Sequence, residues 1–150
     1  MKIYIIEDNL VKVEKIKSFL NDEMPTSSKV SFYYSFNSGL KAIKEAPPDL
    51  ILLDMTLPTF DRRPNVREGR SRPLGGYDIM RKMKLFNINS KVIVITQLES
   101  FGEGNEKVGF EELTDQCWEE FPDFFLGSVY FDQSGSAWTA NLRDILRSSV

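Results

Sequence analysis

The chain contains no histidine. That absence removes Ser-His-Asp and Cys-His nucleophile systems, histidine-ligated zinc and any phosphohistidine intermediate formed on this chain. Cys117 is the single cysteine, so an intramolecular disulfide and a cysteine-cluster metal site are excluded as well. No apolar run approaches ~18 residues, and none reads as a membrane span. The N-terminus runs from Ile3-Tyr4-Ile5-Ile6 straight into Glu7-Asp8, with no small-residue cleavage site of the kind a secretory leader carries. A cytoplasmic protein is the expectation, with Met1 as the native start. A net charge of −3 does not suit a general nucleic-acid binder.

What remains for polar chemistry is carboxylates, hydroxyls, amides, lysine and arginine. With 150 residues, 41% of them hydrophobic and 27% charged, the composition predicts one compact domain over 1–150 and argues against disorder. The charge is unevenly placed. Arg62, Arg63, Arg67, Arg70 and Arg72 fall in a Pro- and turn-rich stretch at about 59–74 that has no periodicity and reads as a surface loop. Acids dominate from about 99 to 125, where Lys107 is the one base.

Along the chain, short apolar runs alternate with helical patterns. Ile3–Ile6, Val30–Ser35, Leu50–Leu53, Val92–Ile95 and Val129–Phe131 read as strands, several of them continuously apolar as buried parallel strands are. Asn9 is a candidate N-cap for a helix with Leu10, Val13, Ile16 (or Phe19) and Leu20 on one face, and Asn37-Ser38 for a second helix that Pro47-Pro48 terminates. Gly75-Gly76 precedes a third, carrying Tyr77, Met80 and Met83. A fourth has Phe110, Leu113, Cys117, Trp118 and Phe121 as its apolar stripe and Glu111, Glu112, Asp115, Glu119 and Glu120 as its solvated face. Ser136 caps a last helix with Trp138, Leu142, Ile145 and Leu146 inward. Such alternation predicts a parallel α/β sheet covered by helices on both faces.

Ligands of open parallel sheets bind beyond the carboxyl ends of the strands. Glu7 and Asp8 follow the first strand and Asp54 ends the third, so three mutually repelling carboxylates are expected there. A hard divalent cation, Mg²⁺ above all, would compensate them, bound weakly and keeping several waters. Thr96, ending the fourth strand, would add a hydroxyl to the same rim.

These pieces together resemble the receiver domain of bacterial response regulators: Ile5-Ile6-Glu7-Asp8, Asp49-Leu50-Ile51-Leu52-Leu53-Asp54 with Pro58 after it, Gly76-Tyr77-Asp78, and Val94-Ile95-Thr96. The resemblance implies a flavodoxin-like, doubly wound five-stranded sheet of order 2-1-3-4-5. It further implies that Asp54 accepts a phosphoryl group from a histidine kinase or phosphotransfer protein, that Glu7, Asp8 and Asp54 hold Mg²⁺, and that Thr96 couples the phosphoryl group to a surface switch read by a downstream protein. Four departures stand out. Receivers carry a lysine at the end of the fifth strand, where this chain has Phe131, Asp132 and Gln133, and no lysine follows Lys107. Gln97 stands where a small residue usually follows the threonine. The loop after Pro58 and the segment between Thr96 and the fifth strand are both longer than usual.

Two mechanisms follow from that mixture. In one, Asp54 is phosphorylated with an arginine of the long loop replacing the absent lysine. In the other, a pseudo-receiver keeps the fold and acids but serves as a constitutive protein-binding adaptor. Both are signalling by protein contact and not turnover of a metabolite. A phosphohydrolase with an aspartyl nucleophile would want a second acid where Thr56 stands. The arginine stretch 62–72 and the acidic helix 111–120 are expected contact surfaces for a partner or a second copy of the chain.

Overall fold

The computed structural model describes residues 1–61, 71–98, 100–101 and 108–149. Its main sheet contains β1 (Lys2–Ile6), β2 (Lys29–Tyr33), β3 (Leu50–Leu53), β4 (Lys91–Thr96) and β5 (Phe125–Tyr130). All are parallel, in the order β2-β1-β3-β4-β5, which is the expected doubly wound order. The apolar runs are explained by burial on both faces. Tyr4, Ile6, Ile51, Leu53, Val92 and Val94 pack to one side, and Ile3, Ile5, Leu50, Leu52, Ile93 and Ile95 to the other. A polar residue at any of these places would lose roughly 1.5–3 kcal/mol of apolar burial, so the central strands show no polar alternation.

Helices α2 (Phe36–Glu45), α3 (Gly75–Leu85) and α4 (Phe110–Glu120) cover the first face, and α1 (Leu10–Glu23) and α5 (Ala137–Ser148) the second. Asn9 caps α1 as expected, its Oδ1 accepting from the N–H groups of Val11 and Lys12 at 3.1 and 3.2 Å. The buried stripe of α1 differs from the expected one. It runs Lys12, Val13, Ile16, Phe19 and Leu20, while Leu10 is 64% exposed at the helix start. The cap of α2 is Ser35, not Asn37-Ser38. Ser38 N–H donates to Ser35 Oγ, and Ser35 N–H donates back to Ser38 Oγ, a reciprocal box that needs the earlier start. Ser136 precedes α5 but makes no side-chain cap bond.

In α4, Trp118 is 46% exposed and turned edge-on against Phe125, so the apolar stripe is narrower than the sequence pattern suggests. Glu120 is no mere solvated acid: it accepts from the Tyr77 hydroxyl and from Arg81 Nε, tying α4 to α3. Strand β5 begins at Phe125, earlier than its Val129-Tyr130-Phe131 core suggests. Its pairing with β4 shifts register between Val92 and Ile93, which face Phe125 and Gly127 and leave Leu126 as the extra residue. Gly127 takes φ 145° at this bulge, a conformation that L side chains rarely adopt.

The stretch after Pro58 is held at its base, where Leu57–Pro58 pairs antiparallel with Ser71–Arg72. Ser100–Phe101 likewise pairs with Val108–Gly109. Residues 62–70 and 102–107, with most of the expected arginine loop and part of the acidic segment, lie outside the described residues. Among the described residues no helix is long and apolar enough to cross a membrane.

Candidate functional site

Strands β1 and β3 are adjacent and end level, Ile6 facing Leu53. The chain continues from these ends into Glu7-Asp8 and Asp54, so the sheet register itself brings the three carboxylates together. One oxygen from each lies within 4.8 Å of the others. They form one wall of a cavity of about 740 Å³ that is also lined by Asn9, Leu10, Tyr34, Thr56, Pro58 and Gln97.

The three acids are not equivalent. Glu7 is buried, and its Oε2 accepts from the backbone N–H groups of Asp8 and Asn9 at 2.9 and 3.2 Å. Asp54 is 9% exposed, and its Oδ1 accepts from Met55 N–H at 2.8 Å. Asp8 is half-buried. Removal from water disfavours the charged carboxylates. Burial, reinforced by the neighbouring Asp54, raises the Glu7 pKa to about 7. Burial raises that of Asp54 too, against the opposing pull of Lys12.

Lys12 is the residue that sequence reasoning missed. It enters from the first turn of α1, 1% exposed, with Nζ paired to Glu7 Oε1, 3.4 Å from Asp54 Oδ1, and donating to the Ile95 carbonyl at 2.7 Å. Arginine was the expected cation. Arg72, the described arginine of the 62–72 stretch, instead lies over the Phe36 ring and 3.7 Å from Asp78. Among the described residues the cation at Asp54 is Lys12. The available signal was its spacing: Lys12 lies four residues before Ile16 and eight before Leu20, on the buried stripe, where an unpaired lysine is not tolerated.

Thr96 ends β4 at the same carboxyl edge of the sheet and is buried. Its Oγ1 accepts from Leu98 N–H at 3.3 Å, turning the hydroxyl onto the following loop. Gln97 is exposed, and its Oε1 accepts from Gln133 Nε2 at 3.3 Å, a link between the loops after β4 and β5. Of Phe131, Asp132 and Gln133, where the lysine is expected, Phe131 is 1% exposed and packed against Trp138.

The donor set fits Mg²⁺: three hard carboxylate ligands at the mouth of a water-accessible cavity. With all three carboxylates ionised, as a bound cation favours, they and the Lys12 ammonium carry a formal charge of −2, the balance of one divalent ion.

The chain matches no family model. It is 31% identical over 144 residues to the Detocs response regulatory protein DtcB of Enterobacter cloacae, covering 95% of both chains. Among solved structures it resembles the CheX-CheY-BeF3-Mg complex of Borrelia burgdorferi, with TM-score 0.66 and 16% identity over 99% of this chain and 88% of that one. The Mn²⁺-bound response regulator Rcp1 gives TM-score 0.63 at 16% identity, covering 96% and 90%. A relative of such similarity along nearly its whole length, on this fold, places the chain in the response regulators, as a receiver domain.

Proposed function

We propose that the chain is a phosphoacceptor, taking a phosphoryl group on Asp54 from a histidine kinase or phosphotransfer protein and passing the signal on through protein contacts. The observation that carries this reading is the placement of Asp54: its carboxylate sits within 4.8 Å of Glu7 and Asp8 and still opens onto the cavity. A buried acid kept for packing alone would not face an open cavity of this size.

Mg²⁺ bound by Glu7, Asp8 and Asp54 would offset the charge that develops on a transferring phosphoryl group. Asp54 supplies the nucleophilic oxygen, and the Met55 N–H bond fixes its carboxylate plane. Glu7 orients and does not attack: its Oε2 is held by two backbone N–H groups and its Oε1 pairs with Lys12, each oxygen keeping a lone pair for a metal ion. The similar DtcB is named a response regulatory protein and the CheY relative is bound to CheX, which supports a protein partner downstream.

The test is incubation with acetyl phosphate and MgCl₂ followed by intact mass. A phosphoryl adduct on the wild type that Asp54→Asn abolishes is the expected result. No adduct, with acetyl phosphate or with a phosphorylated histidine donor, refutes it in favour of a constitutive adaptor.

A further inference from the structure

The lysine missing from the end of β5 leaves a question of charge. A phosphoryl group on Asp54 adds negative charge to a site already rich in carboxylates, and one metal ion does not cover it. We propose that Lys12 is the phosphoryl-binding cation of this chain, delivered from the first turn of α1 instead of from the end of β5. The role rests on the phosphoacceptor reading of Asp54.

Three observations carry it. Lys12 Nζ stands 3.4 Å from Asp54 Oδ1, within one atom's reach of a group bonded to that carboxylate. The ammonium is aimed there by fixed partners, Glu7 and the Ile95 carbonyl, and at 1% exposure it has no solvent to turn towards. Phe131, the first of the three residues that follow β5 where the lysine is expected, has its ring centroid 5.7 Å from Nζ. A cation over an aromatic face is stabilised, whereas a second lysine at 131 would bring two ammonium groups together. The aromatic at 131 and the lysine at 12 are thus one arrangement with the usual chain origin exchanged.

In the transfer an Asp54 oxygen attacks phosphorus and an O–P bond forms. The bond from phosphorus to the donor breaks, and its electron pair leaves with the donor: imidazole from a phosphohistidine, acetate from acetyl phosphate. No proton moves to or from Lys12. Its ammonium stays protonated and exchanges part of its contact with the carboxylates for a phosphoryl oxygen.

The test compares wild type, Lys12→Met, Lys12→Gln and the double variant Lys12→Met/Phe131→Lys, each with acetyl phosphate and MgCl₂ by intact mass, with MgCl₂ titrated by calorimetry and thermal unfolding as the control. Removing a single charge-stabilising donor of this kind costs on the order of 100-fold in rate, and that is the loss expected for both single variants. Their Mg²⁺ affinity should hold or tighten, because a cation beside the carboxylates has gone. The double variant should recover part of the rate. A merely structural lysine would instead lower Mg²⁺ binding, labelling and melting temperature together, and that pattern overturns the proposal. So does labelling of folded Lys12→Met or Lys12→Gln at the wild-type rate. Should Lys12→Met not fold, Lys12→Gln, which keeps a polar group beside Glu7, decides. Wild type that takes no phosphoryl group fails the phosphoacceptor reading itself, and the role of Lys12 falls with it; wild type that labels while the single variants label equally fails Lys12 alone.

Discussion

Gly76 is where the backbone of the site can be perturbed without touching any of its side chains. It is the second residue of α3, its N–H donating to the Met55 carbonyl at 2.8 Å, so the helix start is pressed against the chain leaving β3. A Cβ added there would lie 2.4 Å from the Asp54 carbonyl oxygen and 3.0 Å from Met55 Cα. An ordinary carbon–oxygen contact is about 3.3 Å, so roughly 0.9 Å must be found, and both obstructing atoms are backbone. Overpacking of this kind costs about 1–3 kcal/mol. The helix preference for alanine over glycine returns at most ~1 kcal/mol. Even with that return in full, Gly76→Ala should lose up to about 2 kcal/mol, lowering the melting temperature by up to roughly 8 °C for a domain of this size. Because the displaced peptide belongs to Asp54, labelling by acetyl phosphate should slow as well. Gly109→Ala is the control, since nothing lies within 4 Å of its added Cβ. Calorimetric scans in which Gly76→Ala melts at or above the wild-type temperature would show that α3 gives way freely, and the argument from close packing at Asp54 would be wrong.

The remaining expectations concern charge and capping. With its folded pKa raised from 4.5 to about 7, Glu7 holds a proton in the folded chain that the unfolded chain has released, so without divalent cation stability should fall as pH rises from about 4.5 to 7. The loss is on the order of 3 kcal/mol; urea midpoints at pH 5 and pH 8 read it, and a Glu7→Gln variant with the same slope as wild type would refute the assignment. MgCl₂ should oppose that fall, since a bound cation favours the ionised carboxylates. Asn9→Ala should cost about 1 kcal/mol through the lost cap of α1 and loosen the turn that carries Lys12; equal denaturant midpoints would count against it. Glu111, Glu112, Asp115 and Glu119 form an exposed acidic face, and if this face and the 62–72 arginines recognise a partner or a second copy, association measured by sedimentation should weaken between ~50 and ~300 mM salt, an effect that Arg62, Arg63 and Arg67 changed together to serine should reproduce.

The central strands and the three acids were legible because both signals are local. A continuous apolar run such as Leu50–Leu53 has one structural meaning when turn residues bound it, and an acid at its end is carried to the sheet edge by chain continuity alone. Elements whose placement depends on distant contacts were not legible in the same way. Leu10 fits the helical period yet, as the first residue of α1, it stands exposed at the cavity wall and not against the sheet. Trp118 fits the stripe of α4, but it meets Phe125 in a T-shaped contact and stays 46% exposed. Strand β5 starts at Phe125 because Leu126 can be absorbed in a bulge at Gly127, and the sequence around that glycine reads as a break rather than a strand interior.

The hardest feature to read was the cation, and the reason is physical. A lysine is expected at the surface because an unpaired ammonium cannot be buried, so its long side chain on a helix counts as solvated face unless its partners are known. Those partners come from three other places in the chain: Glu7 after β1, Asp54 after β3 and the Ile95 carbonyl on β4. Each is separately explicable by its own strand, and only the parallel register that levels the strand ends makes them a single receptor for Nζ. A receiver site is thereby defined less by which element supplies each charge than by the charges that converge beyond the sheet. A lysine whose Nζ reaches Asp54 from α1 satisfies the same electrostatic demand as one arriving from β5, provided that the β5 position is filled by something that does not repel it. Phe131 meets that condition.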